Sequence, residues 1–562
     1  MLSYSSSRWR EGNWPEDLPR ELEFQKGRIP LFEYLSYFAQ EFPDRPALVF
    51  YGTEITYKKW HGMSNSIAQY LIKKGLKKGE PVGLFLPSFP GFAIVSMGIS
   101  KAGGVITACS PAYKELELEY QLKDAGVKIF FCLDQYMDVV RPVRERLCLN
   151  PVIVMGYSDF LDLSALEDAP AEVSRERSYF SHTTELMDII STFPPIQPHI
   201  SINIHDDLAL LQYSGGTTGL PKGAMHTFFS QTYKAACVEK VFLHGLYDEK
   251  CSNRAILQLA PLYHMGGMIY FNAYFYKGLT QIIIPQFSAI ETLRAIHKNE
   301  PEAIWASTPM ILAMLKHPDI GKYNLRSIKR VRISGLTGIK LSEEIETQWR
   351  IHIGVGADIT EGSYGLTETH SGDTFTPLGR PTKWGSVGIP AHGVEIKIVS
   401  LEDRNNVLPP EQIGEIAVYS PCNFKGYWKN PEETSKTLID GWVFTGDVGR
   451  FDTDGYLYFL GRSKEMIKVS GYSVFPEEVE AILNRHWAVE RSAVRGIADE
   501  KKGEVTKAAV LLKKECIGKV HPDDIIEWAK MKMAYYKVPK IVEFRESIPK
   551  HAGTGKILRR FI

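Results

Sequence analysis

Residues 213–227 read Tyr-Ser-Gly-Gly-Thr-Thr-Gly-Leu-Pro-Lys-Gly-Ala-Met-His-Thr, just after the apolar run Leu208 to Leu211. Glycines allow tight turns and let main-chain N–H groups close on an anion. The hydroxyls of Thr217 and Thr218 add hydrogen bonds to phosphate oxygens, and Lys222 adds a mobile positive charge. A strand that ends in such a loop is a phosphate cradle. It is not a Walker loop, which needs Ser or Thr directly after Gly-Lys. Lys222 follows Pro221, and Gly555-Lys556 is followed by Ile557.

Other clusters carry chemistry too. In Tyr364-Gly365-Leu366-Thr367-Glu368, Tyr364 can stack on a purine and Thr367 can bond a phosphate. Glu368 can hold Mg²⁺ through oxygen, directly or by way of water. Ser334-Gly335 precedes this string by about thirty residues. Asp447, at the end of Trp442-Val443-Phe444-Thr445-Gly446-Asp447, can accept hydrogen bonds from ribose hydroxyls. Further strings are Gly461-Arg462-Ser463-Lys464-Glu465, Ser470-Gly471-Tyr472, Pro549-Lys550 through Gly555-Lys556, and Ala260-Pro261-Leu262-Tyr263-His264-Met265-Gly266-Gly267. Taken singly, each has an ordinary structural reading. These are a surface loop, a helix start with a solvated glutamate, a turn aspartate, solvated lysines, a basic tail beside Arg559 and Arg560, and a core histidine.

Taken together and in this order, the strings resemble the signatures of the AMP-forming adenylating enzymes. That superfamily includes acyl-CoA synthetases, luciferases and peptide-synthetase adenylation domains. The resemblance runs from Tyr213 to Lys556; the preceding 200 or so residues fit by general pattern only. It implies that Thr217, Thr218, Gly219 and Lys222 hold ATP phosphates and that Gly335 and Tyr364 meet adenine. It places Thr367 at the α-phosphate, Glu368 at Mg²⁺, and Asp447 and Arg462 at the ribose. Lys556 is implied as the catalytic lysine, acting with Thr218 and Glu368. Lys464 stands at the family's hinge. Ser470, Gly471 and Tyr472 belong to the loop that lines the pantetheine tunnel. His264 and Gly365 fall at the acyl pocket.

One departure concerns the C-terminal loop. The family has three residues between Pro-Lys and Gly-Lys, whereas four separate Lys550 from Gly555 here. Related acetyl-specific enzymes carry Trp where this chain has Gly365, so acids longer than acetate are expected: fatty, hydroxy- or aryl-acids. Phe228, Phe229, Tyr233, Met268 and Tyr270 are candidates for the pocket wall. The implied reaction joins a small carboxylic acid to CoA in two steps at the expense of ATP. A standalone enzyme that loads a carrier protein and a non-catalytic nucleotide-binding relative are the alternatives. With six residues after Lys556 and no carrier domain in the sequence, free CoA is the expected acceptor.

The elements that must position these groups follow from pattern. A chain of 562 residues is too long for one hydrophobic core. From about Ile29 to Leu279, helical patterns (Ser66–Lys74, Gly91–Ala102, Glu115–Asp124) alternate with short apolar runs (Val82–Leu86, Val105–Ala108, Val127–Cys132). This alternation predicts βαβ units and parallel sheet. Val394–Val399 and Gly414–Tyr419 alternate apolar with polar, which predicts antiparallel strands in a small β-barrel. After Gly461 come strands near Ala493–Gly496 and Ala508–Leu512 and a helix over Pro522–Lys532. The expected fold is α/β. Residues 1–461 form a large multi-subdomain region with parallel-rich sheets that binds ATP and the acyl group. Residues 462–562 form a small, mobile α+β domain carrying Lys556.

Lys and Arg total 66, and so do Asp and Glu, so no net field favours nucleic acid or an anionic membrane. Seven scattered cysteines without a Cys-x-x-Cys pair suit a reducing cytoplasm. The polar N-terminus and the lack of a run of about 18 apolar residues predict neither signal peptide nor membrane span. Self-association is left open.

Overall fold

The computed structural model describes residues 14–214, 220–244, 246, 255–334, 341–361, 363–378, 383–469, 472–499, 503–550 and 557–562. Two seven-stranded sheets form the scaffold. The first runs, in spatial order, Thr184–Glu185, Val152–Met155, Ile129–Leu133, Pro81–Phe85, Val105–Ala108, Leu208–Ser214 and Lys222–Thr227. The second runs Asp358–Glu361, Arg330–Ser334, Ala303–Ser307, Ala255–Gln258, Thr280–Ile283, Pro46–Phe50 and Thr53–Thr56. Each is parallel except for one antiparallel edge hairpin. The βαβ rhythm is therefore real, but it conceals a division. Pro46–Phe50 pairs with Thr280–Ile283, across the whole first sheet in sequence.

Helices fill the space between the sheets. α1 (Leu31–Glu41) buries Leu31, Phe32, Tyr34, Leu35 and Phe38, one helical face. α2 (Tyr57–Lys73) begins where the Thr56 hydroxyl accepts the Lys59 N–H at 3.2 Å. It starts well before the predicted Ser66, because cap chemistry and not apolar periodicity sets the first turn. α3 (Pro90–Lys101) opens on proline at its first position and is buried on nearly every side. It packs tightly on α2: a Cβ at Gly98 would lie 2.6 Å from Ile67 Cγ2. α4 (Phe228–Leu243) and α5 (Met265–Tyr276) are also almost wholly buried, which explains why neither shows a polar stripe.

The predicted barrel is an open five-stranded antiparallel sheet. Its strands are Glu395–Val399, Gly414–Tyr419, Leu438–Ile439, Trp442–Phe451 and Leu457–Arg462. Beyond it lies a separate α+β unit. Its sheet is built from Ile467–Val469, Tyr472–Val474, Val489–Asp499, Gly503–Leu512 and Ile541–Phe544. α6 (Pro476–Leu483) and α7 (Pro522–Lys532) pack on it around Val479, Leu483, Val494, Val510 and Ile525, a core of its own.

Candidate active site

The phosphate motif is a hairpin at the edge of the first sheet. Ser214 pairs with Lys222 at its far end. Thr217, Thr218 and Gly219 lie outside the described residues, as do Gly335, Ser470, Gly471 and Lys556. The returning strand needs its glycine for packing. A Cβ at Gly223 would lie 2.8 Å from Leu211 Cδ1 and 3.0 Å from Tyr213 Cζ. Tyr213 itself is anchored, its hydroxyl donating to Asp124 Oδ2 at 2.5 Å.

Five of the predicted residues converge around this hairpin. Lys222 forms an ion pair with Glu433, and its ammonium lies 5.2 Å from the centre of the Tyr427 ring. Lys222 and Lys436 hold the Glu433 carboxyl down at about 2. The Tyr427 hydroxyl donates to Glu368 Oε1 at 2.7 Å. Four residues earlier in the same loop, the buried Tyr364 donates its hydroxyl to Asp447 Oδ2 at 2.8 Å. Asp447 Oδ1 pairs with Arg462 Nε at 3.1 Å, and the two residues are register partners on adjacent strands. The negative charge of Asp447 raises the Arg462 guanidinium further. Tyr427 and Glu433 were not found from sequence. Neither sits in a distinctive string, and only the fold brings them to Glu368 and Lys222.

This arrangement suits a nucleotide. Lys222 and Arg462 are cations now shared with carboxylates, and each can turn to an anionic ligand. Glu368 fits a Mg²⁺ ion carried on phosphates, since Mg²⁺ uses one or two carboxylates together with substrate oxygens. Among the described residues no group of three His, Cys, Asp or Glu could cage a metal alone.

Beneath the 364–368 loop lies a buried polar floor. Lys234 on α4 donates to Asp373 Oδ1 at 2.8 Å and to the Gly372 carbonyl at 3.2 Å. Thr369 donates its hydroxyl to the other Asp373 oxygen. The buried rings of His226 and His370 meet edge to face, 4.6 Å apart. Burial pushes His226 down to about 3; burial, His226 and Lys234 lower His370. The turn His370-Ser371-Gly372 is left-handed, with φ of 62°, 57° and 62°.

This turn packs directly against Gly365. A Cβ there would lie 2.6 Å from Gly372 N and 2.7 Å from Ser371 Cα. Main chain fills the space a side chain would take, so packing demands the glycine.

His264 is exposed and caps α5, its Nδ1 accepting the Gly266 N–H at 3.2 Å. Gln212 of the phosphate hairpin donates to the Tyr263 carbonyl at 3.2 Å and ties that cap to the site. Behind it, a cavity opens between α1, α3, α4 and α5, with Phe32, Phe92, Ile106, Phe228, Met268 and Phe271 in its wall. Of the five pocket candidates, Phe228 and Met268 line it. The other three pack elsewhere: Phe229 on His205, Tyr233 against Phe24, and Tyr270 against Trp305.

Lys464 occupies the short turn Ser463–Glu465 between the barrel-like sheet and the C-terminal unit. Tyr472 is exposed and stacks on Tyr536 at 4.3 Å. Lys550 bridges to Ile557, and the Leu558 N–H reaches the Pro549 carbonyl at 2.9 Å. The two ends of the segment bearing Lys556 are thus clamped despite its extra residue.

The family model of AMP-binding enzymes matches residues 35–428, and that of the AMP-binding enzyme C-terminal domain matches 478–556. The long-chain-fatty-acid–CoA ligase of Bacillus subtilis is 33% identical over 97% of this chain and 96% of its own. The 4-coumarate–CoA ligase of Pinus taeda is 31% identical over 95% and 94%. The crystal structure of the anthranilate CoA ligase AuaEII in complex with anthranoyl-AMP aligns with a TM-score of 0.78 at 26% identity, covering 97% of each chain. ATP-bound MatB from Rhodopseudomonas palustris shares the fold, with a TM-score of 0.79 at 22% identity over 95% of this chain and 98% of its own. This chain belongs to the AMP-binding enzyme family.

Proposed function

We propose that the chain is an AMP-forming acyl-CoA ligase acting on acids longer than acetate. The similarity to acid–CoA ligases along 97% of its length carries this reading. In the first step a carboxylate oxygen bonds to the α-phosphorus of ATP and pyrophosphate leaves. In the second, the CoA thiol loses its proton, its sulfur bonds to the acyl carbon, and AMP leaves. Adenylation turns an oxide leaving group into a phosphate one.

The chain's own groups position and neutralise. Thr217, Thr218, Gly219 and Lys222 take the phosphates, Lys222 leaving Glu433 to do so. Tyr364, Asp447 and Arg462 take the nucleoside. Glu368 would hold Mg²⁺, which would supply positive charge to offset that of the phosphates. Lys556 bridges the carboxylate and the α-phosphate. The acyl chain passes His264 into the cavity between α3, α4 and α5. Residues 462–562 turn about Lys464 between the steps, a hinge motion, and bring Ser470, Gly471 and Tyr472 to the thiol. Use of ATP and CoA suits a cytoplasmic enzyme. No helix among the described residues is long and apolar enough to cross a membrane.

The test is CoA-dependent AMP formation over acids from acetate to C16, with hydroxy- and aryl-acids included and products identified by mass. An acyl-CoA product with a clear optimum is expected. Pyrophosphate release that ignores CoA would instead favour a carrier-loading enzyme.

A further inference from the structure

Four polar side chains interrupt the apolar wall of the cavity: Ser96 and Ser100 on α3, Gln231 on α4 and Asn272 on α5. Ser100, Gln231 and Asn272 are 6%, 6% and 8% exposed. The Ser96 hydroxyl is buried without a hydrogen-bond partner. Among the described residues, neither carboxamide donates or accepts a hydrogen bond. A buried amide left unpaired is worse for stability than an apolar side chain of the same volume.

The other buried carboxamides among the described residues each make at least one hydrogen bond. Gln121, Gln212, Gln258 and Gln281 are buried too, and each donates its amide to a main-chain carbonyl (Ala108, Tyr263, Ala260 and Phe271), although the Oε1 of each is left without a partner. Gln231 and Asn272 stand on neighbouring helices and open on one cavity. The wall of that cavity includes Leu262, two residues before His264, and Phe228, the first residue after the phosphate hairpin, so two strings of the candidate site border it.

A carboxamide both donates and accepts, as does a hydroxyl. Their shared complement is a neutral oxygen. No charged side chain lines the cavity, so a second carboxylate or an ammonium on the ligand would be buried without a counter-charge. We infer that the acid this enzyme activates carries a hydroxyl or keto oxygen on its chain, held between Gln231 and Asn272. This rests on the ligase reading and its placement of the acyl chain.

The experiment compares acids matched in carbon number: unsubstituted, hydroxylated and oxo forms. Both CoA-dependent AMP formation and the rise in melting temperature on binding each acid are measured. The wild-type chain is expected to favour an oxygenated acid at least ten-fold in kcat/KM and to be stabilised more by it. Gln231→Met and Asn272→Leu should erase that preference by gaining on the unsubstituted acid, and both should melt above wild type. Equal or better use of the unsubstituted acid by wild type would overturn the inference. So would variants that melt lower, or that lose both acids in parallel. Selective stabilisation by an oxygenated acid with no acyl-CoA formed would overturn the ligase reading and leave this one standing.

Discussion

Lys234→Met should be among the most damaging single substitutions in the chain. Lys234 and Asp373 have side chains 1% and 0% exposed, and their charges meet at 2.8 Å. Removing the lysine leaves a carboxylate in a site that water does not reach, with the Thr369 hydroxyl still donating to it. Breaking a buried pair in this way costs about 3–5 kcal/mol. The loss falls on the turn that carries Tyr364, Thr367 and Glu368, so AMP formation should fall with stability. Exchanging both charges for apolar groups is often neutral, so Lys234→Met combined with Asp373→Leu should recover most of the stability. Urea unfolding of wild type, both single variants and the double variant measures the coupling directly. Singles costing under about 1 kcal/mol, or a double variant as weak as the sum of its parts, would refute the claim that burial makes this pair critical.

Gly365→Ala should lower the melting temperature and weaken activity on every acid alike, because its Cβ would strike main chain at Gly372 and Ser371; a change confined to long acids would instead support a pocket role. Lys556→Ala should slow adenylation by about 10²–10³-fold, the loss of one preorganised donor, while thioester formation from a preformed adenylate is largely kept. Lys464→Pro should do the reverse, sparing pyrophosphate release and crippling thioester formation in single-turnover assays. Glu477, which burial pushes up to about 7, pairs with Arg559 at 2.9 Å. Between its ordinary 4.5 and about 7 the folded chain binds more of this proton than the unfolded chain does, so stability falls as pH rises through that window. Glu477→Gln should flatten that slope in melts across the range.

The candidate-site residues that the fold brings together were legible because chemistry of this kind fixes residue types locally. A phosphate loop needs glycines and hydroxyls in succession, and Tyr364, Glu368 and Asp447 each sit in a short string with a turn. Elements with their own stop signals were legible too. The helix Pro522–Lys532 has proline at its start and ends as read, and Val105–Ala108 is bounded by glycine before and Pro111 soon after. Pairing was not legible. Nothing local says that Pro46–Phe50 leaves its neighbours for Thr280–Ile283. Nor does anything in Gly426-Tyr427-Trp428 say that its tyrosine will meet Glu368.

The polar residues of α4 show where sequence and structure must be read together. Its sequence, from Phe228 to Leu243, is apolar enough to be buried along nearly its whole length, yet it contains Gln231 and Lys234, both more than nine-tenths buried. From pattern alone the two are equivalent exceptions, three residues apart and thus close on one helix surface. The fold separates them. Lys234 finds a carboxylate and a carbonyl, so its polarity is spent on holding the Glu368 loop. Gln231 finds neither and faces the cavity. Burial makes both demand partners. The one supplied from within the chain marks scaffold, and the one not supplied marks the place where a ligand has to complete the hydrogen bonding.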